Sequence, residues 1–293
     1  MIKVAKNYEE PPTALLSENC IQQNKEAVER ESDDKYSTNY YRHEEVLTRL
    51  KEDIYHGKCV YCESKSEHVA SLQVEHFRPK GGLKKEKTGD ENHKGYYWLG
   101  NEWSNLLLSC PKCNGKNAKG NRFPISGIRV YDDSPFDDNG NFDRERLIPT
   151  KSPLKDEMPL LLNPESDEPE EHLEFNSLGQ IKGITKRGNA TIEICKLDRD
   201  ELYKERQEVV NQFVKDIKSL VLALEIKKID KEGLRFLLAG VFDKIVMRIK
   251  PEAEYSLWGS FIFKKFEDCI LSRINSTFHG TICETFEEYR GNK

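Results

Sequence analysis

The sequence predicts an α+β protein: a small metal-stapled module of short strands with mainly helical N-terminal and C-terminal extensions. Three observations carry this. Two C-x-x-C pairs, Cys59/Cys62 and Cys110/Cys113, bracket a segment of strand-like alternation (Leu72 to Phe77) and of aromatic density (Tyr96 to Leu108). From Asn189 onward, apolar residues recur at helical spacing. Between these regions lies a proline-rich, acidic stretch without periodicity.

Residues 1–55 read as an extended arm and helix. Pro11-Pro12 blocks helix, Ser32-Asp33-Asp34 marks a break, and Tyr40, Val46, Leu47, Leu50 and Ile54 share one helical face. Gly57 then suits a helix C-terminus. Residues 56–125 form the cysteine module, with a charged loop from Lys84 to Lys94 and a helix or helical turn over Lys112 to Lys119. Residues 126–185 form the connector, closing in a hairpin about Ser177-Leu178-Gly179 with Leu173, Phe175, Ile181 and Ile184 on its arms. In residues 186–293, Asp198 and Glu201 have capping-box spacing. Leu202, Val209, Phe213, Ile217, Leu220 and Leu224 make one stripe. Gly233 to Ile249 and Leu257 to Ile274 are two further helices, parted by Pro251.

The 293 residues are 37% hydrophobic and 33% charged, which fits a folded chain with a real core. The net charge of -5 is unevenly spread. From His56 to Pro124 there are 12 Lys/Arg against 7 Asp/Glu, a polarity suited to a polyanion. From Asp132 to Phe175 there are 4 against 14, which reads as a solvated loop, a mask for the basic site or a partner surface. No apolar run reaches the roughly 18 residues a membrane span needs. The first ten residues lack an apolar signal core, so a cytoplasmic, reducing location is expected. There, paired cysteines bind metal more often than they form disulfides.

Two such knuckles suffice to hold one Zn2+ in a closed tetrahedron of thiolates, a scaffold without an open coordination position. Cys20, Cys195, Cys269 and Cys283 lack that spacing and read as buried or free thiols. Chemistry must come from what the staple holds, and Glu75-His76 lies between the knuckles. A neutral histidine can take a proton from water as a general base.

The segments CVYC, LQVEHFRPKGG and GYYWLGNEWSNLLLSCPKCNGKNAKGNRFP resemble the zinc-knuckle HNH endonucleases of the ββα-metal nuclease family. The resemblance implies His76 as general base and Asn105 as the residue that orients it, although Asn105 also suits a turn cap. It implies Glu75 and Asn114 as oxygen ligands of one Mg2+ or Mn2+, a preference consistent with an all-oxygen pair. Glu75 replaces the commoner aspartate, and Asn117 reads as structural. Arg78, Lys80, Lys116 and Lys119 are candidates for phosphate contacts on nucleic acid, DNA favoured, or else solvated charges. His93 is expected to take no part.

Residues 70 to 205 are further similar to PtuB-like HNH subunits of Septu and retron-associated anti-phage systems, through LLLNPESDEPEEHLEF, a Gly-Gln-Ile hairpin and TIEICKLDRDEL. That likeness implies an ATPase partner, docked on the acidic segment or the helical tail. Two other functions stay open: a zinc-supported nucleic-acid-binding module without cleavage, and a scaffold subunit.

Overall fold

In a computed structural model of the chain, which describes residues 1–29, 38–67, 70–84, 93–131, 135–139 and 143–291, the polypeptide divides into two units. The first comprises residues 1–172 and 183–197, the second residues 173–182 and 198–293. The break expected at Ser32-Asp33-Asp34 and most of the charged loop after Lys84 lie outside the described residues.

The first unit begins with the expected arm, which the structure turns into a brace. Lys6 is buried, and its ammonium donates to the Leu106 carbonyl (2.6 Å) and to Glu165 (3.0 Å) while lying 4.1 Å above the Trp103 ring. Helix α1 (Glu18–Glu29) follows Pro11-Pro12. Helix α2 (Glu44–Thr48) starts later than the Tyr40 expected from periodicity, because His43 is extended and caps it through Nδ1. Tyr40–Arg42 form a separate 3-10 turn. Beyond α2 the chain widens into a π-helical turn, Arg49–Ile54, and Gly57 leaves it at φ 71°, a conformation that favours glycine.

Strands β1 (Gln73–His76) and β2 (Leu106–Ser109) pair antiparallel, with His76 opposite Leu106 and Gln73 opposite Ser109. All four residues of β2 are buried, as befits the apolar run of the module. One helical turn, α3 (Pro111–Asn114), comes directly after β2. Pro111 at its first position has no amide to leave unpaired. The turn stops at Gly115 and does not run on to Lys119, so the shorter of the two sequence expectations holds.

The acidic connector is solvated over most of its carboxylates, with Asp138, Glu145, Asp156, Glu168, Glu170 and Glu171 exposed, but part of it is core. Leu154, Leu161 and Leu162 are buried, and so are Glu157 and Glu165, which neutralise buried cations. Helix α4 (Lys186–Cys195), capped by Thr185, ends this unit.

In the second unit a hairpin, β3 (Leu173–Phe175) and β4 (Ile181–Gly183), turns through Gly179 at φ 88° as expected. The helices are α5 (Asp200–Glu225), α6 (Lys231–Met247), α7 (Ser256–Lys264), α8 (Phe266–Cys269) and α9 (His279–Gly291). Asp198 does not cap α5, whose N-cap is Arg199, without a side-chain cap. Its buried stripe is Leu202, Arg206, Val210, Phe213, Val214, Ile217 and Val221, rotated from the expected one. Buried Arg206 stands over the Phe175 ring at 5.1 Å, a position that apolar counting passes over. Among the described residues, no helix is long and apolar enough to cross a membrane.

Candidate active site

The four cysteines of the two knuckles converge in the first unit. Their sulfur atoms all lie within 4.8 Å of one another, and all four side chains are buried. Cys62 and Cys110 are 3.8 Å apart. Four sulfurs bonded at about 2.3 Å to a central zinc would be about 3.8 Å from each other, so the cluster fits that ion. Backbone bonds place the knuckles: Val60 N donates to Leu108 O (2.8 Å), Glu63 N to Cys59 O (2.9 Å), and Cys113 N and Asn114 N to Cys110 O. Ser64 Oγ lies 3.3 Å from Cys62 Sγ. As thiols, the four share their protons: hydrogen bonds within the cluster draw Cys110 and Cys62 down, while burial pushes Cys59 up and its neighbouring thiols push Cys113 up.

His76 ends β1, and its half-buried ring rests edge-on against Tyr41 at 4.6 Å between centroids. Nε2 lies 2.9 Å from the Gly100 carbonyl oxygen. A carbonyl only accepts, so Nε2 carries the hydrogen and Nδ1 keeps its lone pair. Burial lowers the His76 pKa to about 3, with the charges of Lys80, Lys119 and Arg42 acting in the same direction. The ring is therefore a neutral imidazole with one basic nitrogen.

Asn105 makes no hydrogen bond to that ring among the described residues. The orienting oxygen is the Gly100 carbonyl, which corrects the role expected of Asn105. Its Oδ1 accepts from Arg78 N (2.8 Å), and Nδ2 donates to Arg78 O (3.0 Å) and Leu99 O (3.2 Å). Its own carbonyl accepts from Phe77 N at 2.9 Å. Asn105 thus clamps the exit of β1 to the Leu99-Gly100 turn. It fixes the distance between His76 and the carbonyl that orients it.

Glu75 projects from the opposite face of β1, as strand alternation requires. It is buried and ion-paired with Lys119, whose ammonium also donates to the His76 carbonyl (2.8 Å). Burial raises the Glu75 pKa, against the pull of Lys119. Asn114 stands half-exposed at the end of α3, and its side chain makes no hydrogen bond among the described residues.

Two expected phosphate contacts are corrected. Lys119 is 0% exposed and committed to Glu75. Arg78 is 1% exposed; Nε donates to Glu157 (2.7 Å) and an Nη to Leu154 O (2.8 Å). Neither presents charge to solvent, because each is the counter-ion of a buried carboxylate. Lys116 is exposed, and Lys80 is half-buried with its ammonium 4.2 Å over the Tyr41 ring and 3.1 Å from Thr38 O. Arg42, absent from the sequence expectations, is exposed and donates through Nε to Tyr41 OH (2.8 Å). The aromatic-basic run Tyr40-Tyr41-Arg42 was its available signal. His93 is a structural pin, with Nε2 donating to Val130 O (2.8 Å) and Nδ1 accepting from Gly95 N (3.0 Å).

The chain has relatives among known proteins. It is 34% identical over 225 residues to the Septu protein PtuB of Bacillus mycoides, covering 76% of this chain and 64% of that one. Over that span the chain is similar to PtuB. A Bacillus thuringiensis PtuB is 24% identical over 220 residues, covering 73% of this chain and 66% of its own length. The Septu protein PtuA of the same Bacillus mycoides strain is 30% identical over 168 residues, 57% of this chain and 21% of that longer one. The chain thus spans slightly under two thirds of each PtuB and a fifth of PtuA. No family model and no solved structure matches.

Beside the PtuB likeness, the donor sets can be judged on their own chemistry. The four thiols fit zinc. For a second, divalent cation the side-chain oxygen of Asn114 is available, whereas the Glu75 carboxylate is shared with an internal ammonium. Both are oxygen donors, which suit Mg2+ or Mn2+.

Proposed function

We propose that this chain is a metal-dependent endonuclease of the HNH kind, acting on phosphodiester bonds of nucleic acid, DNA foremost. The observation that carries it is His76, a neutral imidazole held by Gly100 so that Nδ1 is free to accept a proton. Nδ1 takes a proton from a water molecule, whose oxygen bonds to phosphorus. The bond from phosphorus to the 3′-oxygen breaks, and that oxygen leaves with the bonding pair and takes a proton from solvent water, giving 5′-phosphate and 3′-hydroxyl ends. A divalent cation held by Glu75 and Asn114 would polarise the phosphate and stabilise the leaving oxygen. Arg42, Lys80 and Lys116 supply the positive surface for the backbone. The zinc staple keeps β1, β2 and α3 in register.

The likeness to PtuB supports a role in anti-phage defence, and the likeness to a second Septu component, PtuA, is consistent with work beside a partner subunit. That this partner is an ATPase is what the resemblance of residues 70 to 205 implies. A second reading, nucleic-acid binding without cleavage, is favoured by the commitment of Glu75 to Lys119. A plasmid-nicking assay with Mg2+ or Mn2+ separates the two. The nuclease reading expects cleavage by the wild-type chain with the end groups above, and its loss in His76→Ala. Equal cleavage by both proteins removes His76 from the mechanism.

A further inference from the structure

The ammonium of Lys119 sits against the two residues on which the nuclease reading depends. It donates to the His76 carbonyl at 2.8 Å and ion-pairs with Glu75 Oε1. Both partners are buried, so the pair is shielded from water and its attraction is little screened. The backbone fixes the lysine in place. Lys119 N donates to Cys113 O (3.1 Å), Arg122 N donates to Lys119 O (2.8 Å), and Gly120 N donates to Asn114 O (3.1 Å). The same turn therefore carries the last thiol of the zinc cluster, the free amide of Asn114 and this cation.

A buried carboxylate needs a counter-charge, because its isolated burial is costly. Lys119 provides that charge from within the chain. A divalent ion at Glu75 would have to approach the same carboxylate, and two cations on one buried carboxylate repel strongly. We propose that Lys119 is the resident cation of the site and competes with the divalent ion for Glu75. The folded chain is then complete without the second metal, and binds it weakly as long as the ammonium stays on the carboxylate. This rests on the reading of Glu75 as a metal ligand.

The test is Mn2+ binding by the zinc-loaded full chain, followed through the spin-resonance signal of free Mn2+, with zinc content checked in parallel. Lys119→Met keeps the buried aliphatic stem and removes the charge. It is expected to bind Mn2+ at least about tenfold more tightly than wild type, given the strength of a buried like-charge contact. Lys119→Gln, whose amide still donates to the His76 carbonyl, gives the same comparison if the methionine variant does not fold. Glu75→Gln combined with Lys119→Met is expected to lose the gain. Equal or weaker Mn2+ binding by the lysine variants overturns the proposal alone and leaves Lys119 a strut. Absence of Mn2+ binding in wild type and variants alike overturns both this proposal and the metal-ligand assignment of Glu75.

Discussion

The Nε2 of His76 donates to the carbonyl of Gly100 across 2.9 Å, and this contact decides which ring nitrogen keeps its lone pair. Gly100 closes the 3-10 turn Tyr97–Leu99, far along the chain from β1. A Cβ on Gly100 would collide with the Thr38 side chain, so the turn tolerates little else there.

The pH behaviour of His76 follows from its burial. Its pKa falls from 6.5 to about 3 on folding. The unfolded chain therefore takes the proton first, and the group costs stability as pH drops from about 6.5 towards 3, with no cost above that range. Thermal melts between pH 7 and 5 should show a shallower pH dependence for His76→Gln than for wild type. Any cleavage rate per folded molecule should lack an acid limb at pH 6.5, because the free base persists there. An acid limb at 6.5 in the wild-type rate would contradict the neutral ring.

Asn105 is a clamp, and its chemistry gives a directional prediction. Nδ2 faces two carbonyls, those of Arg78 and Leu99. Asn105→Asp would place carboxylate oxygen against both, whereas Asn105→Ala merely leaves them unpaired, at about 1–3 kcal/mol each. The aspartate variant should melt lower than the alanine variant at neutral pH, and both should retain zinc. An aspartate variant as stable as wild type would show that the amide is not the clamp.

Arg78 and the exposed cations should separate in salt dependence. Arg78→Met leaves Glu157 buried, with Tyr96 OH and Val130 N as remaining donors. It should cost about 3–5 kcal/mol of stability. The slope of log affinity for DNA against log salt should be unchanged in the folded fraction. Arg42→Gln, Lys80→Gln and Lys116→Gln should each reduce that slope by about one unit while melting near wild type. A reduced slope for Arg78→Met would return it to the phosphate surface.

The cysteine cluster predicts about one zinc per chain. Cys59→Ser or Cys110→Ser should lose it, with a lower melting temperature, as metal analysis and calorimetry would show together. Full metal content in either variant would rule out a four-thiolate site.

Much of the site was legible because its residues sit at fixed short spacings. The two knuckles, Glu75-His76 and Asn114 are local patterns, and the sheet and α3 bring them into one module. What sequence could not supply was the pairing across long separations. Lys119 and Arg78 read as surface cations, since nothing local reveals the carboxylates that neutralise them, Glu75 and Glu157. The same blindness hid the two buried carboxylates of the acidic connector, Glu157 and Glu165. Gly100 escaped notice because its contribution is a backbone carbonyl, which every residue carries. In the helical tail α5 and α6 were legible, but the one helix expected over Leu257 to Ile274 is broken at Lys265 into α7, α8 and a 3-10 turn. Helix α5 buries Arg206, Val210 and Val214 where counting favoured Val209 and Leu220.

The central claim, that His76 performs chemistry and does not merely help to bind, is tested by measuring binding and cleavage on the same DNA. Zinc-loaded wild type and His76→Ala would be compared for affinity by fluorescence anisotropy and for strand cleavage with Mn2+. The account predicts affinity within about twofold and cleavage slowed at least about a hundredfold, the usual worth of a general base. Cleavage at the wild-type rate by His76→Ala, or no cleavage by wild type despite bound DNA and Mn2+, would contradict it.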